Sequence, residues 1–389
     1  MRLALLTDRP HSNYGAELNL LAVGELARDA GHDVVAVSIA PGVFIDGAAE
    51  RGFDTLVVPI PDGLEAITAG GLQPSPGTLW AMARFGRTIH QRMRRQQVDV
   101  VMASSMRMAA MTWPGRLRRP HLIWYIQMLT DPSPGTGFTG MVANRIATIA
   151  PGVDRSVPAP VRWLRRRRIA NLPPWRDSSA FASDDRPDRE AGHLRVVTVG
   201  KVTPRKGVDL LVTAVAAARE EGIDADLTVV GAPSGPDDEA YAAEIDAHAD
   251  HLGVPVDWAG WHDDVAPFLR AADTFALVSE REGLPGAALE AMAAGLPLVV
   301  TNTGPIAELV DRSRCGLVAE TAEPDVIARH LVTIARDPNR GAQMASNSII
   351  AARGFGPDGT KAAIDAILND MAPRSARPSG ANPPTGAPS

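Results

Sequence analysis

Two glutamates, Glu282 and Glu290, stand around a helix start with seven residues between them. The stretch is Ser279-Glu280-Arg281-Glu282-Gly283-Leu284-Pro285-Gly286-Ala287-Ala288-Leu289-Glu290-Ala291-Met292-Ala293-Ala294-Gly295. Gly283, Pro285 and Gly286 end a strand, residues 287–294 are dense in helix formers, and Gly295 supplies the stop. A helix N-terminus presents unpaired N–H groups and the positive end of the dipole, which suits a phosphate. A carboxylate on either side of such an anion could accept hydrogen bonds from the hydroxyls of a sugar and a ribose. The plain alternative is an amphipathic helix with two surface glutamates.

A second loop, Gly200-Lys201-Val202-Thr203-Pro204-Arg205-Lys206-Gly207, carries complementary charge. The chain has only three lysines, Lys201, Lys206 and Lys361, among its 39 basic residues. Two of the three fall in one six-residue window, where compact cations on flexible stems suit a diphosphate. The competing interpretation is a solvated basic turn.

Both loops must be held by strands. In the second half, strands are expected at 194–199, 227–230, 256–258, 274–278, 298–301 and 316–318, with helices at 208–220, 324–336 and 358–371. The first half opens the same way, with strands at 3–6, 33–39, 55–58, 98–103, 122–126 and 145–150 and helices at 18–30 and 78–95. Strands alternating with helices imply mostly parallel sheets covered on both faces. The expected class is α/β, with two Rossmann-like domains facing each other across a cleft. Domain 1–182 is followed by a linker at 183–192 and a donor-side domain at 193–355. A helix at 356–372 is placed to pack back on the first domain, and the Pro/Gly/Ser-rich tail 373–389 reads as disordered.

Composition narrows the classes. A net charge of −6 argues against a dedicated nucleic-acid binder, but residues 1–185 carry 21 arginines against 16 carboxylates, a net of +5. Cys315 is the single cysteine, so no intrachain disulfide or cysteine metal cluster can form. Histidine and carboxylate spacings suggest no metal site, and none is expected. Apolar runs fall short of the ~18 residues a span requires, and a cytoplasmic location is expected.

Together, Gly200-Lys201…Lys206-Gly207, Gly260-Trp261, Ala272-Asp273 and Glu282-Gly283-Leu284-Pro285…Glu290-Ala291-Met292-Ala293-Ala294-Gly295-Leu296-Pro297 resemble the family 4 glycosyltransferases. That resemblance implies a retaining, metal-independent hexosyltransferase of the GT-B fold that uses a nucleoside diphosphate sugar, UDP foremost, and no cofactor. It implies that Lys201 and Lys206 bind the donor diphosphate, Glu282 the sugar and Glu290 the ribose. Gly15, Gly231, Gly283, Leu284 and Pro285 complete the donor-binding set.

The amino-terminal half matches more loosely. Asn13-Tyr14-Gly15-Ala16-Glu17 resembles the family's glycine loop with one glycine missing, which places Asn13 and Tyr14 on the acceptor side. Gln127 stands where many relatives carry histidine. A neutral amide orients a hydroxyl but takes no proton near neutrality, so Gln127 is a contact candidate beside Glu282 in the catalytic set. The run Arg162-Trp163-Leu164-Arg165-Arg166-Arg167-Arg168 reads as a solvated helix face or as a peripheral contact with anionic lipid at the inner membrane face. The acceptor, whether metabolite, polysaccharide or lipid-linked, is left open. The alternatives are a non-catalytic nucleotide-sugar-binding subunit and another GT-B enzyme such as a nucleotide-sugar epimerase.

Overall fold

Short runs of branched apolar residues, buried on both faces, build two wholly parallel sheets. A computed structural model describes residues 1–11, 15–61, 64, 76–112, 120–181 and 193–371. Asn13, Tyr14, the 183–192 linker and the 373–389 tail lie outside the described residues.

The first sheet contains β1 (Arg2–Thr7), β2 (Asp33–Ser38), β3 (Asp54–Val57), β4 (Val100–Ala103), β5 (His121–Ile126), β6 (Arg145–Thr148) and β7 (Ile169–Asn171), in the order β3-β2-β1-β4-β5-β6-β7. The second contains β8 (His193–Val199), β9 (Asp224–Val230), β10 (Val256–Gly260), β11 (Thr274–Leu277), β12 (Leu298–Thr301) and β13 (Gly316–Ala319), in the order β10-β9-β8-β11-β12-β13. Eleven of these strands differ from the sequence expectation at an end, β9 by three residues and the others by one or two, and β7, three residues at a sheet edge, was not anticipated. Three residues carry no period to read.

Strand order decides where a ligand can sit. The order reverses between β1 and β4 in one sheet and between β8 and β11 in the other. Crevices open at the carboxyl ends of strands beside such a reversal. The lysine loop follows β8 and the Glu282 loop follows β11, so both sequence signals border the same crevice.

The domains touch extensively. The helix Pro357–Met371 lies on the first domain, where Asp365 meets His32 at 3.3 Å and Thr360 Oγ1 donates to the Pro173 carbonyl at 3.2 Å. One buried apolar cluster runs from the first sheet through Ile364, Ile367 and Leu368 to Leu284, Ala288 and Leu289 beside the crevice. A separate cluster, including Val196, Leu211 and Val215, fills the other side of the second sheet. Among the described residues, no helix is long and apolar enough to cross a membrane.

Candidate active site

The floor of the crevice is made of strand ends. The Gly231 amide donates to the Gly260 carbonyl at 2.7 Å, and the Gly200 amide to the Val230 carbonyl at 2.9 Å. Gly231 has φ 149°, and a Cβ there would overlap the Gly200 carbonyl. Only glycine lets β8 and β9 close together at this point. Beyond Gly200 the chain forms a 3-10 turn, Pro204–Lys206, which runs through Gly207 into the helix Val208–Glu220.

That turn aims two cations at one carboxylate. Lys206 Nζ donates to Glu282 Oε1 at 2.6 Å, and Arg205 Nη1 reaches the same oxygen at 3.3 Å. Arg205 also donates to the Arg281 carbonyl at 2.8 Å, and its own carbonyl accepts from the Glu280 amide at 3.0 Å. The two loops are thereby stitched to each other. Glu282 is only 7% exposed, so its charge needs these partners to be kept out of water. Sequence reasoning assigned Lys206 to a diphosphate; here it is engaged by Glu282. Lys201 is half-buried on the same loop.

Glu290 lies in the second turn of the helix Gly286–Ala293, which Pro285 caps in an extended conformation. Its partner comes from outside this domain: Arg176 Nε donates to Glu290 Oε1 at 2.9 Å. Burial pushes the Glu290 carboxyl above its ordinary range, and the Arg176 guanidinium pulls it back. The same guanidinium donates from Nη1 to Asn19 Oδ1 at 2.9 Å and to the Trp175 carbonyl at 2.7 Å.

Gln127 follows β5 in the first domain. Its Oε1 accepts from Asn19 Nδ2 at 3.1 Å, and its Nε2 donates to the Ala16 carbonyl at 3.0 Å. Both ends of the amide are thus held by the helix Gly15–Asp29. Its backbone meets the other domain: Met128 and Gly283 form an isolated antiparallel bridge, and a Cβ at Gly283 would overlap the Gln127 carbonyl. Leu284, next in line, is buried.

A cleft of 560 Å³ opens between the domains, bounded by Gly15, Arg176, Gly200, Gly231, Gly286 and Glu290 among others. Of the anticipated donor residues, Gly15, Gly231 and Glu290 line this one space, with Gly200 beside them, while Gly283, Leu284 and Pro285 do not. Lys201, Lys206, Glu282 and Gln127 lie outside its lining. Trp261, 46% exposed, and His262 also border it. Among the described residues, no group of three or more His, Cys, Asp or Glu is arranged to hold a metal ion.

Three residues escaped sequence reasoning. Arg205 sat in plain view between the lysines. Asn19 is one polar position in an otherwise apolar helix register. Arg176, in Pro173-Pro174-Trp175-Arg176-Asp177, belongs to no period or motif, and its importance comes from what the fold brings beside it.

Comparison with known proteins bears out the resemblance on the donor side. Residues 193–337 match the family model described as Glycosyl transferases group 1. D-inositol 3-phosphate glycosyltransferase of Corynebacterium glutamicum is 30% identical over 238 residues, covering 58% of this chain and 52% of that protein. A GDP-mannose-dependent alpha-(1-6)-phosphatidylinositol monomannoside mannosyltransferase of Mycobacterium tuberculosis is 31% identical over 191 residues, covering 45% of this chain and 49% of the relative. The matches span about half the length of these relatives. Among solved structures, HepE of Anabaena in complex with UDP superposes with a TM-score of 0.76 at 18% identity, over 95% of this chain and 100% of that one. Sucrose-phosphate synthase of Thermosynechococcus elongatus gives 0.73 at 16% identity, over 95% and 99%. These structural likenesses establish the fold, two α/β domains of the GT-B type.

Proposed function

We propose that the protein transfers a sugar from a nucleoside diphosphate sugar to an acceptor hydroxyl, with retention at the anomeric carbon, a reading that starts from the match of residues 193–337 to the group 1 glycosyl transferase model. The observation that carries this reading is the convergence of the Lys206–Glu282 loops and the Glu290 helix on the β8/β11 crevice. UDP is the nucleotide we assign first, with HepE bound to UDP and to UDP-glucose as the supporting likenesses. GDP is the second, since one relative is named as GDP-mannose-dependent.

In the reaction, the bond between the anomeric carbon and the donor phosphate oxygen breaks as the acceptor oxygen bonds to the same face of the sugar. The acceptor proton passes to the departing phosphate, so no side-chain base is required. Most of the developing charge is on the diphosphate. Lys206 would leave Glu282 for it, joined by Lys201, with no metal ion taking part. Glu282, released, would accept hydrogen bonds from the sugar hydroxyls while Glu290 accepts from the ribose. Gln127, held by Asn19 and Ala16, would line the acceptor side with Asn13 and Tyr14. Closure of the domains would exclude water and limit donor hydrolysis.

The test is a donor panel followed by turnover. A nucleotide sugar that raises the melting temperature, and is hydrolysed or transferred in a Glu282-dependent way, supports the enzyme. Tight donor binding with no turnover across an acceptor panel would favour a nucleotide-sugar-binding subunit instead.

A peripheral membrane contact from the cytoplasmic side has its own support. Trp163 and Leu164 are 67% and 57% exposed, and the Arg166 guanidinium sits 5.0 Å above the Trp163 ring. Exposed aromatic and aliphatic side chains amid arginines suit an anionic lipid surface. Arg165 is not part of that surface, because it is buried and donates to the Ala143 carbonyl. Co-sedimentation with phosphatidylglycerol vesicles but not phosphatidylcholine vesicles, lost in Trp163→Ala, is the expected result.

A further inference from the structure

A continuous run of hydrogen bonds crosses the cleft from the acceptor side to the donor side. It begins at the Ala16 carbonyl and passes through the Gln127 amide to Asn19, then through Arg176 to Glu290, with steps of 3.0, 3.1, 2.9 and 2.9 Å. Asn19 is 4% exposed, and the side chains of Arg176 and Glu290 are 14% and 18% exposed. Few polar groups so withdrawn from water are free to re-pair with solvent.

Arg176 is the junction of this run. Its backbone amide is fixed by the Phe355 carbonyl at 3.1 Å, just ahead of the helix that packs back on the first domain. Its guanidinium lies so closely over Gly286 that a Cβ there would overlap it. The position lines the 560 Å³ cleft, and its planar fork reaches Glu290 and Asn19 at once, which an ammonium cannot do with the same geometry.

We propose that Arg176 is a positioning residue: it holds the Glu290 carboxyl aimed into the cleft and yokes it through Asn19 to Gln127, so that the two halves of the site are set together. The assignment of Glu290 to a ribose rests on the function proposed above; the hold of Arg176 on Glu290 does not. Burial alone drives the Glu290 carboxyl toward its protonated form, and the guanidinium opposes that drive. A protonated carboxyl has lost acceptor capacity and so binds two ribose hydroxyls less well. The other charged or titratable groups lining this cleft are Asp46, Glu50, Arg51, His262, Asp263 and Asp264; among the described residues, Arg176 is the one whose side chain is hydrogen-bonded to the Glu290 carboxyl.

Two measurements on the full chain test the proposal. The first uses no nucleotide: the Glu290 carboxyl is titrated by ¹³C NMR, assigned by its absence in Glu290→Gln. In Arg176→Gln the midpoint should rise by about one pH unit or more, and Arg176→Lys, which keeps the charge, should restore most of it. An unchanged midpoint in a folded Arg176→Gln overturns the proposal. The second measures UDP affinity by calorimetry from pH 5.5 to 8. Arg176→Gln should bind UDP roughly tenfold more weakly at the acid end, the deficit shrinking as pH rises, while Glu290→Gln binds weakly at every pH. Asn19→Ala, which leaves the ion pair in place, should lose several-fold in affinity through the yoke. A UDP affinity unchanged in Asn19→Ala, or an Arg176→Gln deficit equal at all pH values, also overturns it. If the wild type binds neither UDP nor GDP while the NMR midpoint moves as stated, the donor reading fails and the hold of Arg176 on Glu290 stands.

Discussion

Glu282 and Glu290 are a single motif in the sequence and two different problems in the structure. Glu282 finds its cations, Lys206 and Arg205, on the neighbouring loop of its own domain. Glu290 is served by Arg176, which also bonds the Asn19 side chain in the first domain. The cations of one carboxylate come from the same sheet, although its loop is also bridged to the first domain at Gly283 and Met128. The other is set only when the two domains are together. The difference implies that perturbing the domain contact should take Arg176 from Glu290 and leave Lys206 and Arg205 on Glu282.

The comparison can be broken most severely at Glu282. Glu282→Ala should reduce sugar transfer by roughly 10²- to 10³-fold with little change in UDP affinity, measured by UDP release and calorimetry. A comparable loss of UDP binding would mean that this carboxylate serves the nucleotide and not the sugar. Gly231→Val should be nearly as damaging, by another route. The side chain would strike the Gly200 carbonyl at a backbone angle only glycine adopts easily, costing about 3 kcal/mol or more. Cys315 reports on this. It is fully buried with its thiol pushed up to about 11 by burial, so it should resist a thiol reagent at pH 8 in the wild type and react in the variant.

Gly283→Val attacks the contact between domains. Its side chain would push against the Gln127 carbonyl and part the Met128 bridge, so we expect UDP affinity to fall through Glu290 while Cys315 stays protected. Simultaneous thiol exposure would show that the two carboxylates are not independently set. The smallest effect is pH-dependent. A carboxyl raised in the folded state binds its proton more tightly there than when unfolded, so its contribution to stability is present at low pH and declines as pH climbs from about 4.5 through the folded value. Glu290→Gln lacks this slope. Its stability relative to wild type should therefore improve with pH across that window, by at most about 1.4 kcal/mol per unit in denaturant melts.

Much of the donor side was legible because it is local. Strand, lysine turn and helix follow one another within 28 residues, and Gly283, Pro285 and Gly295 announce the loop and helix ends directly. The acceptor side was less so. Gln127 could be singled out as a departure from a resemblance, yet its two partners are 111 and 108 residues away in the chain. Arg176 was invisible for the same reason: it meets Asn19 across 157 residues and Glu290 across 114. No spacing rule reaches that far.

The chain by itself determined the alternation of strands and helices, the two cation-and-carboxylate loops and the helix that follows them, because apolar period, turn residues and capping are properties of neighbours. Tertiary structure alone decided which cation each carboxylate receives. Lys206 and Glu282 meet because β8 and β11 lie side by side at the reversal of strand order, and Arg176 reaches Glu290 because the domains pack with its segment between them. A buried charge takes whichever partner the fold brings within hydrogen-bond distance, and that partner is a fact of topology.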